Sequence, residues 1–250
     1  MDTSPSRRQL LAAAGVALTG VTAGCTRTDA SNDAAPTDTQ TSTDTTTSPT
    51  GAEETTTTGP RDVSFDTSGG ETVEGTLYGS GSCGVVLVPQ INLDRGSWRP
   101  QAERLAANGW LALAIDEGEQ RVAAVRAAVE FLRSERDVST VVLVGASTGG
   151  AAVVGAAAER PTRVDGVVTL SGAGGAGRAE SLTGQKLFVV SEGDEQRFVD
   201  VATELHSDAS DPKRLLTVDG AAHGQRLFES EHSEAVWAAM LDLLEDACRR

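Results

Sequence analysis

The chain has 250 residues, and its 39% hydrophobic and 23% charged residues are the balance of a folding chain, not a disordered one. Its 36 Asp plus Glu against 21 Lys plus Arg leave a net charge of −15, which argues against nucleic acid as a partner, because phosphates are bound by basic patches. The same charge argues against electrostatic docking on anionic lipid.

Residues 1–25 read as an export signal. Arg7-Arg8 follow Ser6 as a twin-arginine pair, and an apolar stretch rich in Ala and Gly runs from Leu10 to about Ala23. That stretch is too short and too weakly hydrophobic for a comfortable transmembrane helix. It ends in Thr22-Ala23-Gly24-Cys25, where small residues before a cysteine resemble a lipobox and make Cys25 the expected lipidation site. An uncleaved N-terminal anchor is the alternative. Residues 26–60 are of low complexity, with twelve threonines between positions 37 and 58. They lack the apolar surface to offset the entropy of ordering, so a disordered tether is expected. The expected location is the outer face of the cytoplasmic membrane, with the membrane touched only through the N-terminal lipid.

Residues 61–250 read as one domain, long enough to bury a core. Asp62–Thr67 and Thr72–Tyr78 form a predicted β-hairpin around Ser68-Gly69-Gly70. Val85–Val88 is a buried strand, and Trp98–Asn108 a helix that ends at Gly109. Trp110–Ile115 is the next strand. Val122, Val125, Val129 and Leu132 recur at helical spacing and predict a helix over Val122–Leu132. Val141–Val144 is a strand, and Gly150–Glu159 a small-residue helix stopped by Pro161. Strands at Val167–Leu170, Leu187–Val190 and Leu215–Val218 alternate with a helix at Phe198–Leu205. The last helix runs from Glu234 to about Asp246, with Ser233 as its expected N-cap. Continuous apolar strands between amphipathic helices predict an α/β protein: a mostly parallel sheet of about eight strands, covered on both faces. In such sheets ligands bind at the carboxyl ends of the strands.

Gly145-Ala146-Ser147-Thr148-Gly149, followed by Gly150, lies between a strand and a helix. The G-x-S-x-G nucleophile elbow requires that context. A turn so sharp strains the backbone of Ser147 and needs near-absent side chains two residues either side, which Gly145 and Gly149 supply. A plain Gly-rich strand–helix turn is the bland alternative. A serine nucleophile needs a base, and the chain has 3 histidines. His223 follows the last strand in the loop Gly220-Ala221-Ala222-His223-Gly224, at the carboxyl edge. His206 and His232 read as solvated surface residues. The base needs an acceptor to hold its tautomer. Asp194, in Ser191-Glu192-Gly193-Asp194-Glu195, is the first choice, with Glu192 and Glu195 as rivals.

The order Ser147, Asp194, His223 is that of the α/β-hydrolases. Residues 61–250 resemble that superfamily, close to its small capless esterases and dienelactone-hydrolase-like branch. Dienelactone hydrolases proper use a cysteine nucleophile, so Ser147 points toward the esterase-like members. The resemblance implies an α/β-hydrolase fold and a serine hydrolase, carboxylesterase-like, acting on a small carboxylic ester or thioester. By position it gives two backbone oxyanion donors, Ile91 and Thr148, although Pro89-Gln90-Ile91 departs from the usual His-Gly. Gln90 is a pocket candidate. Asp94 and Arg95 either pin this loop or form a solvated pair, and Trp98 reads as packing. The run Asp116-Glu117-Gly118-Glu119-Gln120 also departs from the family and predicts a shortened, acidic rim. About fourteen residues, Gly172 to Gln185, stand where larger relatives insert a lid, so an open site without a lid domain is expected. No residue pattern has metal-ligand spacing, and no metal, cofactor or nucleic acid is expected. A monomer is expected. Cys83 and Cys248 either pair or stay apart. Carboxylates in excess with two lysines, Lys186 and Lys213, resemble proteins of salt-loving archaea, in which salt screens the repulsion. A non-catalytic binding module of the same fold, or an acyltransferase, remains the alternative function.

Overall fold

The computed structural model describes residues 59–159 and 162–249. The export signal, Cys25, tether residues 26–58 and the expected stop at Pro161 lie outside them. Eight strands form one sheet: β1 (Arg61–Asp66), β2 (Thr72–Tyr78), β3 (Cys83–Val88), β4 (Leu111–Ile115), β5 (Thr140–Ala146), β6 (Gly166–Leu170), β7 (Gln185–Ser191) and β8 (Lys213–Val218). Their spatial order is β1-β2-β4-β3-β5-β6-β7-β8. The hairpin strand β2 runs antiparallel to both β1 and β4, and every pairing from β4 to β8 is parallel.

The parallel strands are apolar along their length because both faces are covered. On β3, Val86 and Val88 enter one core while Val85 and Leu87 enter the other; on β5, Val141 and Leu143 oppose Val142 and Val144. This alternation is the two-residue period of a strand. Helices α2 (Arg121–Glu135), α3 (Thr148–Ala158) and α4 (Gln196–Asp208) cover the first face, while α1 (Arg99–Ala107) and α5 (Ser233–Cys248) cover the second. The edge strand β8 carries Lys213 and Arg214, charges that discourage pairing with another sheet.

Several boundaries differ from expectation for physical reasons. Helix α3 begins at Thr148, not Gly150, because the chain enters it directly from Ser147. Helix α1 starts at Arg99, after a 3-10 turn at Arg95–Trp98 that Asp94 caps by accepting from Gly96 N at 2.9 Å. Asp94 and Arg95 therefore pin the loop: Arg95 donates to Asp116 through its backbone N–H at 2.8 Å and through its guanidinium. Trp98 is fully buried, as packing requires. The N-cap of α5 is His232, not Ser233, and no side chain caps it. Between β6 and β7 the described residues form loop and one 3-10 turn, Ala176–Ser181, with no lid.

Cys83 and Cys248 form a disulfide with Cα atoms 5.9 Å apart, which resolves their open pairing. It ties the end of α5 to the start of a central strand, across 165 residues of chain. Closing so long a loop restricts the unfolded chain. Cys248→Ser is expected to lower stability by about 2–4 kcal/mol, read as a fall in the urea midpoint that reduction of the native chain reproduces. Equal midpoints for the oxidised native chain and the variant would contradict the bond.

Candidate active site

Ser147 follows β5 with φ 48° and ψ −112°, a left-handed conformation that a side chain strains. Neighbouring strands hold it there. Its N–H donates to Leu170 O at 2.9 Å, and its carbonyl accepts from Ala173 N at 2.8 Å and Ala151 N at 3.2 Å. The two flanking glycines are required by close approach. A Cβ on Gly145 would lie 2.2 Å from Gly149 O, and one on Gly149 would lie 2.5 Å from Val88 O. Both obstacles are backbone and cannot swing aside. The elbow thus clamps the end of β3 against the start of α3.

Two backbone N–H groups lie at the same sheet edge. Thr148 is the first residue of α3, so its N–H has no acceptor within the helix and sits at the positive end of the helix dipole. Ile91 lies in a turn closed by Leu93 N to Gln90 O at 3.1 Å, and its own N–H donates to no acceptor among the described residues. Gln90 is half-buried and occupied: its Oε1 accepts from Gln225 N at 3.2 Å, and its N–H donates to Gln225 Oε1 at 3.3 Å.

The loops after β7 and β8 bring Asp194 and His223 together. His223 Nδ1 lies 2.9 Å from Asp194 Oδ2 and 3.1 Å from Oδ1. The Asp194 side chain is 4% exposed, that of His223 26%. Asp194 Oδ1 also accepts from Glu195 N at 2.8 Å. The rivals stand apart: Glu192 is exposed, and Glu195 pairs with Arg197. Gly193 N donates to Gly220 O at 2.8 Å, and Ser191 Oγ to Ala222 O at 2.8 Å, so the two loops move as one. The Phe198 ring packs 4.2 Å from the His223 ring. A carboxylate on Nδ1–H leaves Nε2 as the basic nitrogen. No hydrogen bond joins His223 to Ser147; such bonds often tighten only around substrate. His206, in α4, and His232, before α5, are half-buried, not solvated.

The rim also differs from the acidic edge the sequence suggests. Glu119 is exposed, but the Glu117 side chain is only 9% exposed. One Glu117 oxygen accepts from Arg121 Nε at 2.7 Å; the other is buried, as is Thr148 Oγ1. Burial pushes the Glu117 carboxyl above its ordinary range, against the opposing pull of Arg121 and Thr148. Beside this wall a cleft of about 660 Å³ is lined by Thr148, Ala151, Ala173, Gln120, Arg121 and Arg126. Ser191, Phe198 and Gln225 are the residues that sequence reasoning missed. Only the position of Gln225, two residues after His223, could have signalled one of them.

No protein-family model and no curated protein matches the chain. Solved structures do. A dienelactone hydrolase from Anabaena variabilis superposes with a TM-score of 0.63 at 23% identity, covering 75% of this chain and 96% of that one. The fold is that of the α/β-hydrolases. The esterase domain of a Rhodothermus marinus protein shares this α/β-hydrolase fold with a TM-score of 0.59 at 18% identity, over 73% of this chain and 96% of its own. An esterase of Pyrococcus furiosus gives 0.63 at 13%, over 75% and 90%.

Glu117 supplies a test by pH. A carboxyl whose folded pKa is raised adds stability below its unfolded pKa that is lost as pH rises through the folded value. Glu117→Gln is therefore expected to gain stability relative to the native chain as pH climbs from about 4 to 7, measured by urea midpoints. Parallel stability curves would contradict the buried carboxyl.

Proposed function

We propose that this chain is a serine hydrolase that cleaves a small carboxylic ester or thioester. The observation that carries the reading is the Asp194–His223 pair, at 2.9 and 3.1 Å, on the sheet edge where Ser147 is held in its strained turn. Free backbone donors at Ile91 and Thr148 complete the set. The names of the structural neighbours, esterases and a dienelactone hydrolase among them, support the class of reaction.

In the first step Ser147 Oγ attacks the carbonyl carbon while His223 Nε2 takes the hydroxyl proton. Asp194 holds Nδ1–H and stabilises the imidazolium. The oxyanion accepts from Ile91 N–H and Thr148 N–H, and losing one such donor typically costs about 100–1000-fold in rate. The tetrahedral intermediate collapses, the bond to the leaving oxygen or sulfur breaks, and His223 returns its proton to that group. Water then attacks the acyl-enzyme with His223 again as base, releasing the acid and restoring Ser147. The open cleft beside Thr148 gives the acyl or alcohol group room without a lid.

The site of action is read as outside the cell. The twin-arginine pair and lipobox-like Cys25 support export, and the Cys83–Cys248 disulfide suits an oxidising compartment. An acidic monomer with two lysines suits work in brine, on a substrate that is not strongly anionic.

A fluorophosphonate probe is expected to modify Ser147 in folded protein, shown by mass spectrometry. In an ester-panel assay at high salt, Ser147→Ala is expected to lose about 1,000,000-fold in kcat, and Asp194→Asn about 10,000-fold with little change in fold. No adduct on Ser147, or turnover that survives Ser147→Ala, would refute the mechanism. A ligand-binding role without chemistry would survive both substitutions.

A further inference from the structure

The base loop is tied to its acid on one side and to the oxyanion loop on the other, and the two sides differ. On the acid side, Val218 O accepts from Glu192 N, Gly220 O from Gly193 N, and Ala222 O from Ser191 Oγ, each at 2.8 Å. These bonds set His223 against Asp194. They do nothing to set His223 against the donor at Ile91.

That second distance depends on one residue. Among the described residues, three hydrogen bonds join the segment after β8 to the loop between β3 and α1, and all three use Gln225. Its Oε1 accepts from Gln90 N at 3.3 Å, its N–H donates to Gln90 Oε1 at 3.2 Å, and its Nε2 donates to Ser97 Oγ at 2.9 Å. Gln225 is 7% exposed, and a buried amide is costly unless its polar groups are paired. Gln90 adjoins Ile91; Gln225 lies two residues after His223. Gly224, between them, has φ +59°, and a Cβ there would lie 2.4 Å from Gln90 Oε1. The far end of the pair is anchored too. Ser97 Oγ donates to Asp94 O at 2.6 Å, and Arg95 binds Asp116 at the end of β4.

We propose that the Gln90–Gln225 pair is a latch that sets the spacing between the base His223 and the oxyanion donor of Ile91, with Gln225 as its positioning residue. The proposal rests on the hydrolase reading above. The side-chain bonds of Gln225 go to Gln90 and Ser97, not to Ser147. It keeps two parts of the site, carried on loops 135 residues apart in sequence, at the separation that one tetrahedral intermediate requires. Misplacing a reacting group by about 1 Å costs on the order of 100-fold in rate.

The test measures kcat, KM and thermal midpoint with 4-nitrophenyl acetate in the full chain. Gln225→Leu removes both side-chain bonds at similar size and is expected to lower kcat roughly 10–100-fold, with KM within about threefold. Gln225→Glu restores the acceptor for Gln90 N and recovers part of the rate. Gln90→Met and Ser97→Ala lower kcat less, and Ser97→Ala adds little on top of Gln225→Leu, because the two side chains share the Nε2–Oγ bond. Native kcat in a folded Gln225→Leu, or a loss confined to KM, overturns the latch. If Gln225→Leu fails to fold, native kcat in both Gln90→Met and Ser97→Ala overturns it instead. Absence of Ser147-dependent turnover in the native chain overturns the hydrolase reading and the latch's role with it. Native turnover alongside unaffected variants overturns the latch alone.

Discussion

The left-handed backbone of Ser147 is the constraint on which the rest of the arrangement depends. An L-residue with φ 48° is costly by itself, on the order of 1–3 kcal/mol, so neighbouring strands must over-determine it. They do so from two sides. Leu170 and Ala173, at the end of β6, hold the peptide groups of Ser147, while Val88 and Pro89, at the end of β3, press against Gly149. The same closeness brings the end of β3 against the start of α3.

Around this clamp the loops are tied sideways, not downward into the core. Backbone and hydroxyl bonds join the Asp194 loop to the His223 loop, and Gln225 joins the His223 segment to the loop after β3. The aromatic residues reinforce the pattern. Phe198 packs tilted against His223, and Phe228 packs between Trp98 and Trp237, linking the segment after His223 to the 3-10 turn before α1 and to α5. Charge plays a smaller part. Most arginines pair with nearby carboxylates at the surface, as Arg104 does with Glu234 and Arg126 with Glu159. Such pairs are worth little and less in salt. Arg95 and Arg121 differ because their carboxylates, Asp116 and Glu117, follow β4 directly and are partly buried.

The sheet was largely legible because its signals are local. Runs such as Val85–Val88 and Val141–Val144 announce strands buried on both faces, and the glycines of the elbow announce a turn with no room for side chains. Helix starts were less legible. Thr148 opens α3 although glycines follow it, because the chain leaves a strained serine with helical geometry already imposed. The Glu117 side chain turns inward against Thr148, which no local pattern of charge reveals. Gln90 suggested a pocket wall, but its partner lies 135 residues away, beyond any periodicity.

The sequence by itself determined the alternation of strands and helices, the glycine-flanked turn at Ser147, and the chain order of Ser147, Asp194 and His223. Each follows from residue size and apolar spacing within a few positions of chain. The tertiary structure decided which acid meets His223, whether Cys83 meets Cys248, and what Gln90 and Glu117 touch. Those outcomes depend on the crossing of distant loops, where several carboxylates or amides are chemically equivalent and only the packed geometry chooses among them.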